Sequence, residues 1–425
     1  MTDDPTDFLG GALSIGRRLC RDAVWSKGQC GWLGWAIEPH GGQWVSVHRA
    51  LGSLFYDGSA GIGLFLARLA QSSGDPIVRA TAEGALAQAL SACTALETGG
   101  EYGFYSGLSG VAWACGEGGH ALGHDGLVER ADGIMRSAAR LPPRSDRLDI
   151  VNGSAGLILA LVAAARRNAD EDLLASAVRH GEHLIALATR NGSSWSWDTL
   201  GTPGERHLLG LAHGASGIAL ALAKLGAATG RNEFLAAAKA AVAYERGHFR
   251  PAEGNWPDLR SFVQPGPTGE PPSMLAWCHG APGIGLARLA LIPLLPDEPG
   301  IRDEAETAIR TTAANLAAGG TGNFSLCHGD GGNAELLIVA AETFARPDLL
   351  KVARATAAGA LHRFESSRAP WPCGVPGAGE TPNLMLGTAG IGHFLLRLHD
   401  PRGVSTPLLP GAAPAGDLSP AEKEP

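Results

Sequence analysis

No stretch of the sequence reaches the roughly 18 apolar residues that a membrane-spanning helix needs, so a transmembrane segment is not expected. Lys and Arg form no long cluster and the net charge is −8, which leaves no electrostatic footprint for nucleic acid. The cysteines number seven, an odd count in a chain of 425 residues, and this argues against a disulfide framework. The opening MTDDPTDFLGG is acidic and lacks the basic and apolar parts of a signal peptide. These absences together suggest a cytoplasmic protein with reduced thiols. Alternation of β-branched residues is rare, so strands are not expected to dominate. No Gly-x-x-x-x-Gly-Lys-Ser/Thr loop is present either, which removes the simplest phosphate-binding reading.

What the chain has instead is glycine, 60 residues of it, arranged in a repeat. The phrase Gly-x-x-Gly followed by an apolar run begins at Gly58, Gly107, Gly153, Gly214, Gly280, Gly329 and Gly387. Successive copies are 49, 46, 61, 66, 49 and 58 residues apart. That period holds two helices and their connections. Segments between copies, such as DLLASAVRHGEHLIALAT at 172–189, have apolar residues at three-and-four spacing and one wet face. The runs after each Gly-x-x-Gly are apolar nearly all round, as in helices buried on both sides. The pattern predicts an all-α fold in which seven inner and about seven outer helices close into an α/α toroid. Residues 1–400 are read as this single domain, with 1–50 forming one outer helix and a loop holding Trp25, Trp32, Trp35 and Trp44. The Pro/Gly-rich stretch 249–275 is expected to rim one end of the barrel, and the Pro/Ala-rich residues 401–425 to form a disordered tail.

The residues that break the repeat are the informative ones. In a toroid of this kind the inner helices run the same way, so the positions just before each Gly-x-x-Gly converge at one mouth. There the chain places Asp57, Ser106, Asn152, His213, His279, His328 and Leu386. Asp, Ser and Asn at such a position can be plain helix caps. One step earlier, Cys278 and Cys327 hold the same register on sequentially adjacent inner helices. Two soft ligands with an imidazole beside each suggest one zinc site rather than two buried apolar thiols. If both histidines bind, the set is a closed Cys2His2 site; if one binds, a position stays open for chemistry, and the single histidine is favoured because adjacent residues seldom reach one metal together. His213 stands at the same mouth, and Asp149 lies four residues before Gly153. A histidine supported by a carboxylate beside a metal is a general acid–base arrangement.

With WCHGAPG at 277–283, LCHGDGG at 326–332, AHGASG at 212–217 and DIVNGSAG at 149–156, the chain resembles the lanthionine synthetase C-like family from about residue 50 to 400. The wording is closest to the cyclase domains of bifunctional lanthipeptide synthetases. The resemblance implies Zn2+ held by Cys278, Cys327 and His328, with the open position taken by a substrate thiol. It implies a cyclase of antibiotic-type lanthipeptide biosynthesis, in which that thiol adds to dehydroalanine or dehydrobutyrine of the same peptide and closes a thioether ring. His213 would protonate the resulting enolate and Asp149 would orient it, with His279 and Trp277 as neighbours of the site. The implied partners are a dehydrated precursor peptide, a separate dehydratase and an exporter. The alternatives are addition of glutathione to dehydroamino acids and a non-catalytic, zinc-stabilised peptide-binding scaffold. One departure stands out: a branch of the family has Tyr and Arg where this chain has His279 and Met274.

Overall fold

The computed structural model describes residues 6–411, apart from 41–42, 203–205, 262, 265 and 267–268. In chain order the helices are α1 (Phe8–Asp22), α2 (Ser59–Ser73), α3 (Pro76–Ser91), α4 (Cys93–Thr98), α5 (Leu108–Leu122), α6 (Asp125–Arg140), α7 (Ser154–Asn168) and α8 (Glu171–Ala186). They continue as α9 (Ala215–Thr229), α10 (Asn232–Arg246), α11 (Ala281–Leu291), α12 (Ile301–Ala317), α13 (Asp330–Thr343), α14 (Pro347–Ala360) and α15 (Thr388–His399). The seven that follow a Gly-x-x-Gly start, α2, α5, α7, α9, α11, α13 and α15, pack each against the next, and α15 packs back on α2. That contact closes the inner ring. Around it lie α1, α3, α6, α8, α10, α12 and α14, each paired with one inner helix.

Side-chain pattern explains the two layers. Outer helix α6 buries Leu127, Ala131, Met135 and Ala138 and turns its charged residues outward. Inner helix α9 is buried without a break from Ala215 to Ala223, because it is covered by its own outer partner and by both ring neighbours. Asp75 and Asp170 cap α3 and α8 by accepting two backbone N–H groups each. Among the described residues no helix is long and apolar enough to cross a membrane. All seven cysteines are free.

Two expectations change. The tryptophan-bearing segment after α1 is not a loop but two antiparallel hairpins, β1 (Val24–Ser26) with β2 (Gln29–Gly31) and β3 (Leu33–His40) with β4 (Gln43–Ala50). Val45 and Val47, at alternate positions of QWVSVHRA, carry that strand signal, and the helical repeat obscures it. Trp32 is buried and donates to the Leu19 carbonyl at 2.8 Å, whereas Trp25 and Trp44 stay exposed. A third small hairpin joins β5 (Thr189–Asn191) and β6 (Ser194–Ser196).

The second change concerns the tail assigned to 401–425. Residues 401–411 pack onto the core, with Val404 and Leu408 buried. The Tyr105 hydroxyl donates to the Pro407 carbonyl at 2.8 Å and the Trp277 indole donates to that of Leu408 at 3.0 Å. Composition suggested disorder, but two buried aromatic donors need acceptors and this segment supplies them. Residues 412–425, the remainder of that tail, lie outside the described residues.

Candidate functional site at the mouth of the inner barrel

The chain enters each inner helix through the same turn, and the second glycine of every Gly-x-x-Gly explains why. A Cβ at Gly61, Gly110, Gly156, Gly217, Gly283, Gly332 or Gly390 would overlap the carbonyl oxygen of the residue six positions earlier. At Gly283 that oxygen belongs to Trp277 and at Gly332 to Leu326, so these glycines fix the turns that carry the two cysteines. Gly280 adds a positive φ of 88°, which an L side chain rarely adopts.

Neighbouring turns are tied by main-chain hydrogen bonds in a series that runs from Ala212 round to Val151. Tyr56 N–H donates to Tyr105, Tyr105 to Val151, Ala212 to Cys278, Cys278 to Cys327, Cys327 to Met385, and Met385 back to Tyr56. The bonds involving the cysteines are 3.5, 3.3 and 2.9 Å. Repeat register therefore brings Cys278 and Cys327 side by side, as the sequence suggested, through the backbone as well as the side chains.

Both thiols are buried, Cys278 at 8% and Cys327 at 5% exposure. Hydrogen bonding to Cys327, followed by burial, holds the Cys278 thiol well above its ordinary 9.0. Cys327 moves the other way: its sulfur accepts from Cys278 and from the Tyr56 hydroxyl, which outweighs burial and lowers it. The pair thus ionises in two separated steps, the first favoured at Cys327. Half-buried His328 follows immediately, and its Nε2 donates to the Gly374 carbonyl at 2.8 Å.

Asp149 and His213 also meet. The Asp149 carboxylate is 1% exposed; its Oδ1 accepts from the backbone N–H groups of Val151 and Asn152 at 2.9 and 2.8 Å. Its Oδ2 lies 2.5 Å from His213 Nδ1. Burial by itself would lower the His213 pKa, but the charge and hydrogen bond of Asp149, aided by Cys278, raise it above 6.5. The His213 turn is braced from outside by Glu245 of α10, which accepts from Gly210 N–H at 2.7 Å and Ser216 N–H at 3.1 Å.

His279 takes no part in the thiol pair. It is 2% exposed, its Nδ1 lies 3.3 Å from the Leu209 carbonyl, and its ring centroid is 6.4 Å from that of His213. Burial and the nearby Arg260 charge push its pKa down to about 3, so the ring is neutral. Trp277 lies fully buried beneath the turn, edge-on to Tyr105 at 5.0 Å between centroids, and the two form a floor sealed by Pro407 and Leu408.

Sequence reasoning missed three side chains here. Tyr56 holds the same register as Cys278, one step before Asp57, but an aromatic at that position reads as core. Arg260 and Asp258 come from the Pro/Gly-rich segment, where no period assigns them a direction. The Asp258 carboxylate binds the Arg260 guanidinium through Nε and Nη2, and Arg260 Nη2 lies 3.6 Å from Met274 Sδ. A guanidinium thus adjoins the position where the sequence has Met274.

The donor set suits zinc in kind: two buried thiols in contact, and an imidazole whose outer nitrogen is fixed by a backbone carbonyl, the usual support of a metal-binding histidine. Among the described residues, no three His, Cys, Asp or Glu side chains converge closely enough to enclose a metal ion as they stand. Binding one here requires rotation of these side chains towards a common point.

The family model described as "Lanthionine synthetase C-like protein" matches residues 50–409. Among solved structures, nisin cyclase is similar over 82% of this chain and 89% of its own, with 19% identity and a TM-score of 0.57. Unsaturated glucuronyl hydrolase from Bacillus sp. GL1 aligns over 95% of this chain and 98% of its own, with 15% identity and a TM-score of 0.47. The GH76 alpha-mannanase of Bacteroides thetaiotaomicron aligns over 93% and 95%, with 10% identity and a TM-score of 0.48. At 19% identity the likeness to nisin cyclase is one of fold. No curated protein matches the sequence.

Proposed function

The chain belongs to the lanthionine synthetase C-like family, and we propose that it is a zinc-dependent lanthipeptide cyclase that joins cysteine thiols to dehydroalanine or dehydrobutyrine of the same peptide. The observation that carries this reading is the meeting, at one barrel mouth, of a buried thiol pair with a histidine braced by a buried carboxylate.

In this reading Cys278, Cys327 and His328 would hold the zinc, which when bound supplies the Lewis acidity that makes a substrate thiol available as thiolate near neutral pH. Attack of that sulfur on the β-carbon forms the C–S bond and moves the alkene electron pair towards the amide carbonyl as an enolate. His213, held through Nδ1 by Asp149, leaves Nε2 to deliver a proton to the α-carbon. The proton lost by the thiol balances the one gained at carbon, so ring closure leaves the peptide mass unchanged. Asp149 fixes the ring orientation and stabilises the charged form, as an orienting carboxylate does for histidine elsewhere. The floor of Trp277 and Tyr105 closes the barrel below the site and keeps bulk water from that side. The substrate class is a dehydrated peptide, so a dehydratase must act first; an exporter and a cytoplasmic setting belong to the same reading.

Metal content of the purified protein tests the shared site. One zinc per chain is expected, lost in both Cys278→Ala and Cys327→Ala, with retention in His279→Ala. Full zinc in either cysteine variant would refute it.

A further inference from the structure

The segment that brings Arg260 to the mouth is tied to the turn carrying Cys278. Asn255 Oδ1 accepts from Ala281 N–H, the first residue of α11, at 2.8 Å, and its Nδ2 donates to the Met274 carbonyl at 3.1 Å. Asp258 N–H donates to the Pro272 carbonyl at 2.8 Å, and Pro257 pairs with Ser273. Asp258 is therefore buried, its side chain 3% exposed, with the Arg260 fork clamped on it and only 22% exposed. An arginine on a Pro/Gly-rich surface segment ordinarily extends into water, yet this one is folded inward against Met274. The guanidinium is thereby held beside the strand of chain that leads into Cys278 and His279.

The chemistry gives that charge a task. As sulfur bonds to the β-carbon, the alkene pair moves to the carbonyl oxygen, and an oxyanion in a partly dry site needs a fixed donor. His213 serves the α-carbon, and the His279 ring is turned towards the Leu209 carbonyl. Arginine keeps its charge at any working pH and presents several N–H donors in one plane. We infer that Arg260 is a catalytic residue that binds the amide carbonyl oxygen of the dehydroamino acid as negative charge gathers there, and that Asp258 is its positioning partner. This rests on the thiol-addition reading above. Step by step, the thiolate pair forms the C–S bond, the π pair passes to the carbonyl oxygen facing Arg260, and the enolate collapses as His213 protonates the α-carbon.

The test compares wild type, Arg260→Met, Arg260→Lys and Asp258→Asn as zinc-loaded full chains on one dehydrated, cysteine-containing peptide. Two reactions are timed: ring closure, and alkylation of the bound peptide thiol by iodoacetamide, which forms no enolate. Arg260→Met should lower kcat for ring closure by about 100- to 1,000-fold, with KM and the alkylation rate near wild type. Arg260→Lys should recover part of the loss, and Asp258→Asn should fall between. Ring closure by Arg260→Met within threefold of wild type would overturn the inference, as would an equal loss in both reactions, which would make Arg260 only an acidifier of the thiol. If Arg260→Met fails to fold, the same split between the two reactions must appear in Arg260→Lys or Asp258→Asn. Absence of ring closure in wild type would instead sink the proposed function and leave this residue's role without a reaction.

Discussion

Replacing Asp149 by Asn tests the acid role of His213 with little change of shape. The Asn Oδ1 can keep the bonds from Val151 and Asn152 N–H, so the turn should hold. The other atom changes character. An amide N–H now faces His213 Nδ1, where a carboxylate oxygen stood at 2.5 Å. That geometry favours the neutral ring with its proton on Nε2 and removes the charge that opposed burial, so the pKa should fall below that of the parent. A hydrogen bond to a charged group is worth about 1.5–3 kcal/mol, which corresponds to roughly 10- to 150-fold in rate if it is realised in the transition state. The assay is kcat for ring closure against pH. The parent should lose activity as pH rises through a value above 6.5, because the acid must be protonated. The variant should be slower at neutral pH, with this limb moved to lower pH and KM little changed. Stability follows the same sign: a folded-state pKa raised above the unfolded value contributes stability that is complete below about pH 6.5 and fades as pH rises through the folded value. An unmoved limb together with a rate within twofold of the parent would refute the pairing as a catalytic device.

Glu245→Gln should cost about 1.5–3 kcal/mol, because it removes the charge of one of two carboxylates on the fully buried Arg288, which keeps Glu304, and weakens the brace on Gly210 and Ser216; a fall in the urea midpoint at constant m-value measures it. Leu408→Ala, at a residue with no exposed surface, should cost about 2–5 kcal/mol in the same experiment, as expected if 401–411 is part of the folded unit. Gly283→Ala should lower both stability and zinc content, because its Cβ would press on the Trp277 carbonyl beside Cys278. Gly359→Ala, in α14 with open space around it, should instead gain roughly 0.5–1 kcal/mol from helix propensity.

The helical ring was legible because its signal is repeated seven times. Each Gly-x-x-Gly marks a buried helix start, and each amphipathic stretch between them marks an outer partner. The same register placed Cys278 and Cys327 together and set His213 near Asp149, since equivalent turns must converge once the ring closes. The hairpins after α1 were lost among Gly and Trp because two short strands carry little period of their own. The 401–411 segment was misjudged because proline and alanine content says nothing about two buried donors, on Tyr105 and Trp277, awaiting acceptors. Arg260 was out of reach for a related reason. Its direction is set by Asp258 and by pairing with residues 272–273, which are contacts rather than patterns. His279 shows the limit of motif reading: it occupies the same repeat position as His328, yet its ring turns towards Leu209.

The most direct test of the central claim is a count of free thiols in a dehydrated, cysteine-containing peptide after incubation with the zinc-loaded protein, read by alkylation and mass spectrometry. The account predicts that the cysteines become unreactive to the alkylating agent while the peptide mass stays constant, and that His213→Ala slows this change. Cysteines that remain fully alkylated, at a pH and zinc level where the protein is folded and loaded, would contradict it.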